Sequence, residues 1–280
     1  MSGFSADWLA LREPADRRAR NDGIARMVAQ SLAGAAHASI CDLGAGTGSS
    51  LRALAPVLPV RQDWLLIDSD PALLAAARTA LAGWADHADV ADAGLALAIG
   101  DRRIGVRLHQ ADLRDDLDGL LPAAADLING SALIDLVSDA WLDRLVQAAR
   151  RRGSMVLMTL SYAGLETWTP PLPADAEMLA AFTAHQQGDK GFGPALGPRA
   201  AEVLSRKLKQ AGYEVVLAPS PWRLSTDREP ALIAALAEGI AAAVGETGRL
   251  PPERVAAWRA ARRAAAAVEI AHIDLFARLP

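Results

Sequence analysis

Ile40-Cys41-Asp42-Leu43-Gly44-Ala45-Gly46-Thr47-Gly48-Ser49-Ser50 is the stretch that decides the architecture of this chain. Its opening residues, with Ser39 before them, form a short apolar run that reads as a buried strand and ends in glycines. Glycines at 44, 46 and 48 let the backbone turn sharply and approach a ligand closely, and a helix starting just beyond would offer it unpaired N–H groups. Several kinds of nucleotide-binding protein share such a turn, so the spacing matters. A dinucleotide G-x-G-x-x-G turn wants glycine or alanine at 49, where Ser49 stands, and no lysine follows to make a phosphate loop.

Outward from this turn, strands and helices alternate. Upstream, one helix is predicted from about Pro14 to Leu32, with Ile24, Met27, Val28 and Leu32 at helical spacing. Downstream, a helix over 51–58 leads to a second buried strand, Trp64–Asp68, and a helix from Pro71 to Trp84. Residues 86–104 are ambiguous. Leu95–Ile99 and Gly105–His109 read as two strands joined at Gly100-Asp101, the second being the third core strand. Strands at Asp126–Ser131 and Ser154–Leu160 flank a helix over Asp139–Arg152. Near-continuous apolar strands alternating with helices imply a mostly parallel sheet covered on both faces.

After Ser161 the pattern changes to proline- and glycine-rich sequence around one helix, Ala174–Gln187. A helix over Pro198–Ala211, a strand over Tyr213–Leu217 and two alanine-rich helices at about 229–244 and 251–267 follow. The final strand, 271–278, alternates apolar and polar residues as an edge or half-buried strand does. The expectation is one domain, 1–280: an N-terminal helical segment (1–34), a core (35–161), and inserted cap segments (162–198 and 220–267).

The whole chain carries a net charge of −4, with 51% hydrophobic and 22% charged residues, ordinary values for a soluble α/β protein. That acidity argues against nucleic acid as the main partner. No signal sequence and no charge-free apolar run of about 18 residues is seen, so no membrane partner is expected and a cytoplasmic setting is. Cys41 is the sole cysteine, which excludes an intrachain disulfide and a cysteine-held zinc, and no metal site is expected. As a small apolar side chain in a strand, it belongs to the core.

With Asp42 two positions before G-x-G-x-G, the segment resembles the first motif of class I S-adenosylmethionine-dependent methyltransferases. Other pieces of that family's pattern occur in order over about residues 15–160. Asp68 ends the second strand, twenty residues beyond Gly48, where the family's acid grips the cofactor ribose; Asp70 is an alternative, better suited to capping the helix that begins at Pro71. Gln110-Ala-Asp112-Leu113 is similar to the family's adenine-recognition stretch, and Asn129-Gly-Ser131-Ala-Leu133 falls where the family lines the methyl-transfer site. The resemblance thus implies S-adenosyl-L-methionine as cofactor, S-adenosyl-L-homocysteine as product, and Asp42, Gly44, Ala45, Gly46, Gly48, Asp68, Ser69, Asp112, Leu113, Asn129 and Ser131 as cofactor-binding residues. Asp42 can also simply brace the glycine turn, and Asp112 can be a helix cap or surface acid. In several members an early segment folds over the cofactor, which makes Arg12 a partner for its carboxylate; a solvated arginine is the alternative. Arg17, Arg18 and Arg20, and Arg259, Arg262 and Arg263, read as wet helix faces. The fold implied is a three-layer α/β sandwich with a seven-stranded, mostly parallel sheet whose last strand is antiparallel.

A sulfonium cofactor brings its own leaving group, so the protein's task is alignment, plus a base where the acceptor must lose a proton. Asp135, past the fourth strand, and His185, in the cap, are the candidate bases; capping and structural roles compete. His185-Gln-Gln-Gly-Asp-Lys-Gly-Phe-Gly-Pro-Ala-Leu-Gly-Pro198 holds four glycines and two prolines around Lys190 and Phe192, a lid over substrate or an ordinary linker. Tyr162, Trp168 and Trp222 form an aromatic wall for an organic acceptor, or else core or subunit contacts in a homo-oligomer. The function expected is O-, N- or C-methylation of a small molecule. Methylation of RNA or protein is the alternative, weakened because Asn129-Gly-Ser-Ala lacks the proline and aromatic residue of base-amine enzymes. A catalytically silent cofactor binder and a nicotinamide dehydrogenase are further rivals.

Overall fold

The computed structural model describes residues 4–91 and 94–280. Expectations touching residues 1–3 (within the 1–34 segment) and 92–93 (within 86–104) lie outside the described residues.

The glycine turn falls where the spacing put it. Strand β1 (Ala38–Leu43) runs into it and helix α3 (Ser49–Leu54) leaves it. Period-two geometry sends Ile40 to one face of the sheet and Cys41 and Leu43 to the other. Helix α2 (Asp22–Leu32), α3 and α4 (Pro71–Trp84) cover the first face. Helices α6 (Asp139–Arg152) and α8 (Ala200–Gln210) cover the second, with the short α5 (Leu117–Leu120) beside α6. This makes the three layers expected. Trp64 and Trp141, each 1% exposed, anchor opposite faces.

Around β1 the parallel strands are β2 (Arg61–Asp68), β5 (Arg102–Gln110), β6 (Leu127–Ser131) and β7 (Met155–Thr169). The last strand, β10 (Ala267–Arg278), is antiparallel, inserted between β7 and β8 (Glu214–Pro219). Seven strands in the order β5-β2-β1-β6-β7-β10-β8 therefore form the expected sheet. Three more extend it to ten. Strands β3 (His87–Ala91) and β4 (Gly94–Ile99) add an antiparallel hairpin outside β5, and β9 (Trp222–Ser225) pairs with the first half of β10.

Local expectations change at several elements: the helix expected to 267 ends at Arg262 and the last strand begins at Ala267 rather than 271, and two further changes bear on the site. The single helix over 14–32 is two: α1 (Ala6–Ala19), with Pro14 inside it, and α2. Asn21 makes the break. Its side chain accepts from the Gly23 and Ile24 N–H groups, capping α2, while its own N–H donates to Asp274 on β10 at 2.8 Å. Strand β7 runs nine residues past Leu160, because the first half of β10 pairs with it as far as Thr169.

That long β7–β10 ribbon projects beyond the C-terminal edge of the parallel strands and carries a further core. Helices α1, α7 (Asp175–Gln186), α9 (Pro230–Thr247) and α10 (Pro252–Arg262) pack there with β9 around Trp168, Trp222 and Trp258. Asp175 ties it together, receiving hydrogen bonds from the Leu172 N–H (2.9 Å), Trp258 Nε1 (2.8 Å) and Arg262 Nε (3.0 Å). Arg262, expected on a wet face, is 1% exposed and lies over the Trp168 ring. Among the described residues, α9 is long and apolar enough to cross a membrane. It buries Leu232, Ile233, Ala237, Ile240, Ala241 and Val244 in this core.

Candidate active site

In the glycine turn, Gly44, Gly46 and Gly48 all adopt left-handed backbone conformations, with φ of 62°, 53° and 75°. Side-chain-bearing residues avoid that region. At Gly46 space is short too: a Cβ would lie 2.9 Å from Leu9 Cδ1, so helix α1 crosses directly over the turn. Buried Ala45 holds the turn to β2 through its N–H and the Ile67 carbonyl (3.0 Å).

Asp42 and Asp68 face this turn from the ends of adjacent strands. Asp42 is 1% exposed; Asn129 Nδ2, from β6, donates to its Oδ1 at 2.5 Å. Its Oδ2 and the Asn129 Oδ1 are both buried without a partner. Burial pushes the Asp42 carboxyl up to about 7, against the Asn129 hydrogen bond and the charge of Arg20, with Asp68 adding to the rise. Asp68 accepts from the Gly46 N–H at 2.8 Å and, through its other oxygen, from the Asp70 N–H at 3.0 Å. A carboxylate oxygen accepts more than one hydrogen bond, so Asp68 keeps capacity for a diol. Asp70 caps α4 by accepting from the Ala72 N–H, the role weighed for it. Exposed Ser69 follows Asp68, its carbonyl accepting from Gln110.

Arg20 stands beside the same turn, within reach of Ser50, Ser131 and the charge of Asp42. Expected on a wet helix face, it is instead half-buried at the α1–α2 break. It donates to Thr159 Oγ1 (2.6 Å), Ser50 Oγ (3.2 Å) and Ser131 Oγ (3.2 Å). These hydrogen bonds all go to neutral hydroxyls. Burial lowers its pKa, opposed by the charges of Asp16, Asp274 and Asp42. Arg12, the arginine singled out in the sequence, forms a two-pronged pair with Asp16 (2.9 and 3.1 Å) and lies 4.9 Å over the Trp222 ring. Nothing in the arginine-rich α1 pattern distinguishes Arg20 from its neighbours. Only the helix break, signalled by Asn21, could have.

Past β5, Asp112 is gripped by Arg114 through its main-chain N–H (2.8 Å) and Nε (2.7 Å), and that hydrogen bonding holds its carboxyl below the usual range. Leu113 is buried, its carbonyl accepting from Trp141 Nε1 at 2.7 Å. Phe192 packs edge-on against Trp141, ring centroids 6.1 Å apart, and Gly191 lies beside Arg114. The glycine-rich loop over 188–197 therefore sits against the Asp112–Leu113 end of the sheet. His185 pairs with Glu246 at 2.9 Å, and the Lys190 amine approaches the same imidazole at 3.3 Å.

The turn after β6 carries Asp135, 7% exposed, with an unpartnered Oδ1; burial pushes its carboxyl up to about 6. The Tyr162 main-chain N–H and the charge of Arg12 oppose that rise. Backbone strain clusters in the same place: Ala132 and Leu160, neither a glycine, take φ of 50° and 55°. Such conformations gather at functional sites. Tyr162, Trp168 and Trp222 all lie on strands, buried in the further core on the β7–β10 ribbon. Tyr162 and Trp168 each donate to Glu166, at 3.1 and 3.2 Å, and Trp222 donates to Asp16 at 2.9 Å.

No family model matches this chain, and no curated protein matches it by sequence. Solved structures do. A protein from Bacillus halodurans assigned as a methyltransferase is 14% identical, covering 93% of this chain and 100% of its own, with a TM-score of 0.50. The YcgJ protein from Bacillus subtilis is 13% identical over 93% of this chain and 100% of its own (TM-score 0.49). A Haemonchus contortus phosphoethanolamine N-methyltransferase, solved with phosphomonomethylethanolamine and S-adenosylhomocysteine, is 14% identical over 90% of this chain and 52% of its own (TM-score 0.42). At these identities the likeness is one of fold.

Proposed function

We propose that this protein transfers a methyl group from S-adenosyl-L-methionine to a small-molecule acceptor, releasing S-adenosyl-L-homocysteine. One observation carries the proposal. A left-handed glycine turn is flanked by two strand-end carboxyls, and the buried Asp42 Oδ2 and Asn129 Oδ1 beside it have no partners. An unpaired buried acceptor costs about 1–3 kcal/mol, which a ligand bearing donors offsets.

The residues present fit that cofactor. Its amino-acid end carries an ammonium and a carboxylate. Asp42 Oδ2 suits the first, and Arg20, bonded to hydroxyls alone, suits the second better than the already paired Arg12. Asp68 would take the ribose diol, with Gly44, Ala45, Gly46, Gly48 and Ser69 letting the backbone come close. Asp112 and Leu113 would border the adenine, covered by Phe192 and the 188–197 loop. Bound there, the sulfonium supplies an electrophilic methyl with its own leaving group, so the chain need only orient an acceptor, exclude water and accept a proton.

The small-molecule assignment draws support from the cap, whose core begins at Leu160 and Tyr162, just past the point where β7 pairs with Ser131 of β6. A cytoplasmic setting belongs to the same proposal. Its support is the one cysteine, Cys41, fully buried and with its thiol pushed up by burial.

Isothermal titration calorimetry with S-adenosylhomocysteine tests the proposal. Binding is expected, and Asp68→Ala should weaken it about tenfold or more through loss of hydrogen bonds to an ionised group. Absence of binding heat with both the methyl donor and its demethylated product would overturn it.

A further inference from the structure

A second group of unpaired polar atoms lies just beyond the cofactor crevice, where the β7–β10 ribbon leaves the sheet. His272 and Tyr162 are direct cross-strand partners there, their rings 6.3 Å apart. The Trp222 ring stands 5.2 Å from His272 on the other side, and Phe182 backs Tyr162 at 5.8 Å. Asp135 faces this group from the turn after β6, near enough for the Tyr162 N–H and the charge of Arg12 to act on it.

Three polar atoms at this seam have no hydrogen-bond partner: Asp135 Oδ1, His272 Nδ1 and Ser220 Oγ, the last on a residue whose N–H donates to the His272 carbonyl at 2.9 Å. All three residues are more than nine-tenths buried. They come from three separate segments, the turn after β6, β10 and the loop between β8 and β9. A packing fault would leave one orphan, whereas three beside one set of rings describe a binding surface.

The composition of the seam selects the ligand. Three aromatic or heteroaromatic rings favour a flat π-system. The charged groups beside the rings are engaged: Arg12 is held by both oxygens of Asp16 and stacked on Trp222, so it is not free to receive a phosphate or carboxylate, and Glu166 accepts from the Tyr162 hydroxyl and Trp168 Nε1. The unpaired atoms suit a neutral molecule offering a hydroxyl. Burial keeps the imidazole of His272 uncharged, its pKa pushed down to about 3.

We propose that the seam walled by Tyr162, His272 and Trp222 and bounded by Asp135 is the acceptor subsite, and that it takes an uncharged aromatic hydroxyl compound. It rests on the methyl-transfer reading. Asp135 Oδ1 accepts the hydroxyl proton. The acceptor oxygen then forms its bond to carbon as the sulfur–methyl bond breaks, that electron pair staying on sulfur, and Asp135 later gives its proton to solvent. A carboxyl poised near 6 is matched to that exchange at neutral pH.

Calorimetry on the full chain, with and without saturating S-adenosylhomocysteine, tests this using 1-naphthol as the probe. Naphthalene, 1-naphthoate and 1-naphthylmethylammonium serve as comparisons. The naphthol should bind about tenfold or more tightly than each of the three, the gap to naphthalene being the hydroxyl's hydrogen bond. In Asp135→Leu that gap should vanish, and in Asp135→Asn, which keeps an acceptor oxygen, it should persist within about threefold. His272→Phe should weaken naphthol binding about fivefold, with S-adenosylhomocysteine affinity held within about twofold. Should His272→Phe fail to fold, His272→Asn replaces it with the same expectation. No naphthol binding, tighter binding of either charged probe, or a hydroxyl gap unchanged in Asp135→Leu overturns the subsite. If S-adenosylhomocysteine fails to bind, it is the methyl-transfer reading that falls, and the measurements without it still decide whether the seam takes the naphthol.

Discussion

Replacing Asp42 by asparagine should make the protein more stable and a worse binder, with a pH dependence fixed by the buried carboxyl. Asp42 is 1% exposed and titrates near 7 in the folded chain, against an ordinary carboxyl value of 3.8. Below about pH 4 the group is protonated whether the chain is folded or not, so the substitution costs little; the Asn129 Nδ2 bond survives, because an amide oxygen also accepts. Between about 4 and 7 the unfolded chain releases the proton while the folded chain retains it. Wild-type stability therefore falls as pH rises, and the loss is complete above about 7. Three pH units at ~1.4 kcal/mol each give about 4 kcal/mol. Urea denaturation at several pH values between 4 and 8.5 checks this: the advantage of Asp42→Asn should grow from near zero to about 4 kcal/mol. Over the same series S-adenosylhomocysteine should bind the variant about tenfold more weakly at pH 8, since its ammonium loses a charged partner. Two stability curves that stay parallel would refute the reasoning.

Arg20→Met should weaken S-adenosylhomocysteine binding about tenfold or more while leaving adenosine, which has no carboxylate, within about twofold; calorimetry with both ligands separates the two. Gly46→Ala introduces a Cβ 2.9 Å from Leu9 in a left-handed conformation, and thermal or urea unfolding should register a loss of about 1–2 kcal/mol together with weaker cofactor binding. Asp175→Ala strands the Arg262 guanidinium, 1% exposed, without its carboxylate, so unfolding should show a loss of about 3 kcal/mol or more.

The core was legible because its signals are local. The run Ser39–Leu43, the alternate glycines and the acid at 68 each follow from short-range chemistry, and α4 and α6 have the bounds their capping residues and periodicity suggest. What sequence could not carry was the result of long-range pairing. Ser154–Leu160 reads as a complete strand. The further nine residues of β7 take strand form only because β10, about a hundred positions later, pairs with them. That ribbon in turn decides that Tyr162 and Trp168 stand on a strand and that His272, an unremarked polar position in an alternating pattern, faces Tyr162. Arg20 and Arg262 show the same limit for charge. An arginine-rich helix reads as solvated until tertiary packing buries one member among the hydroxyls of Ser50, Ser131 and Thr159, and another under Asp175.

Where the fold leaves polar atoms unsatisfied is itself informative. Among the described residues eight buried side-chain polar atoms have no hydrogen-bond partner, and one of these, Glu177 Oε1, is ion-paired with Arg254. Six of them, on Asp42, Asn129, Asp135, Ser161, Ser220 and His272, lie at the C-terminal edge of the parallel strands, on the ribbon that continues from it, or, for Ser220, in the loop bonded to that ribbon. At about 1–3 kcal/mol each, such a set approaches the whole stability of an ordinary domain. A sequence under pressure for stability alone would replace Ser161 and Ser220 by alanine and His272 by an apolar ring. Their retention at the edge where open α/β sheets bind ligands accords with the two proposals, in which the cost is offset on binding by donors to Asp42 and Asn129 on one side and a hydroxyl-bearing ring on the other. In the proposed assignment the division follows chemistry: charged groups, Asp42 and Arg20, would meet the zwitterionic end of a cofactor, while neutral groups, Ser220 and His272, would meet an uncharged acceptor. Asp135, able to hold or release a proton near neutral pH, stands between them.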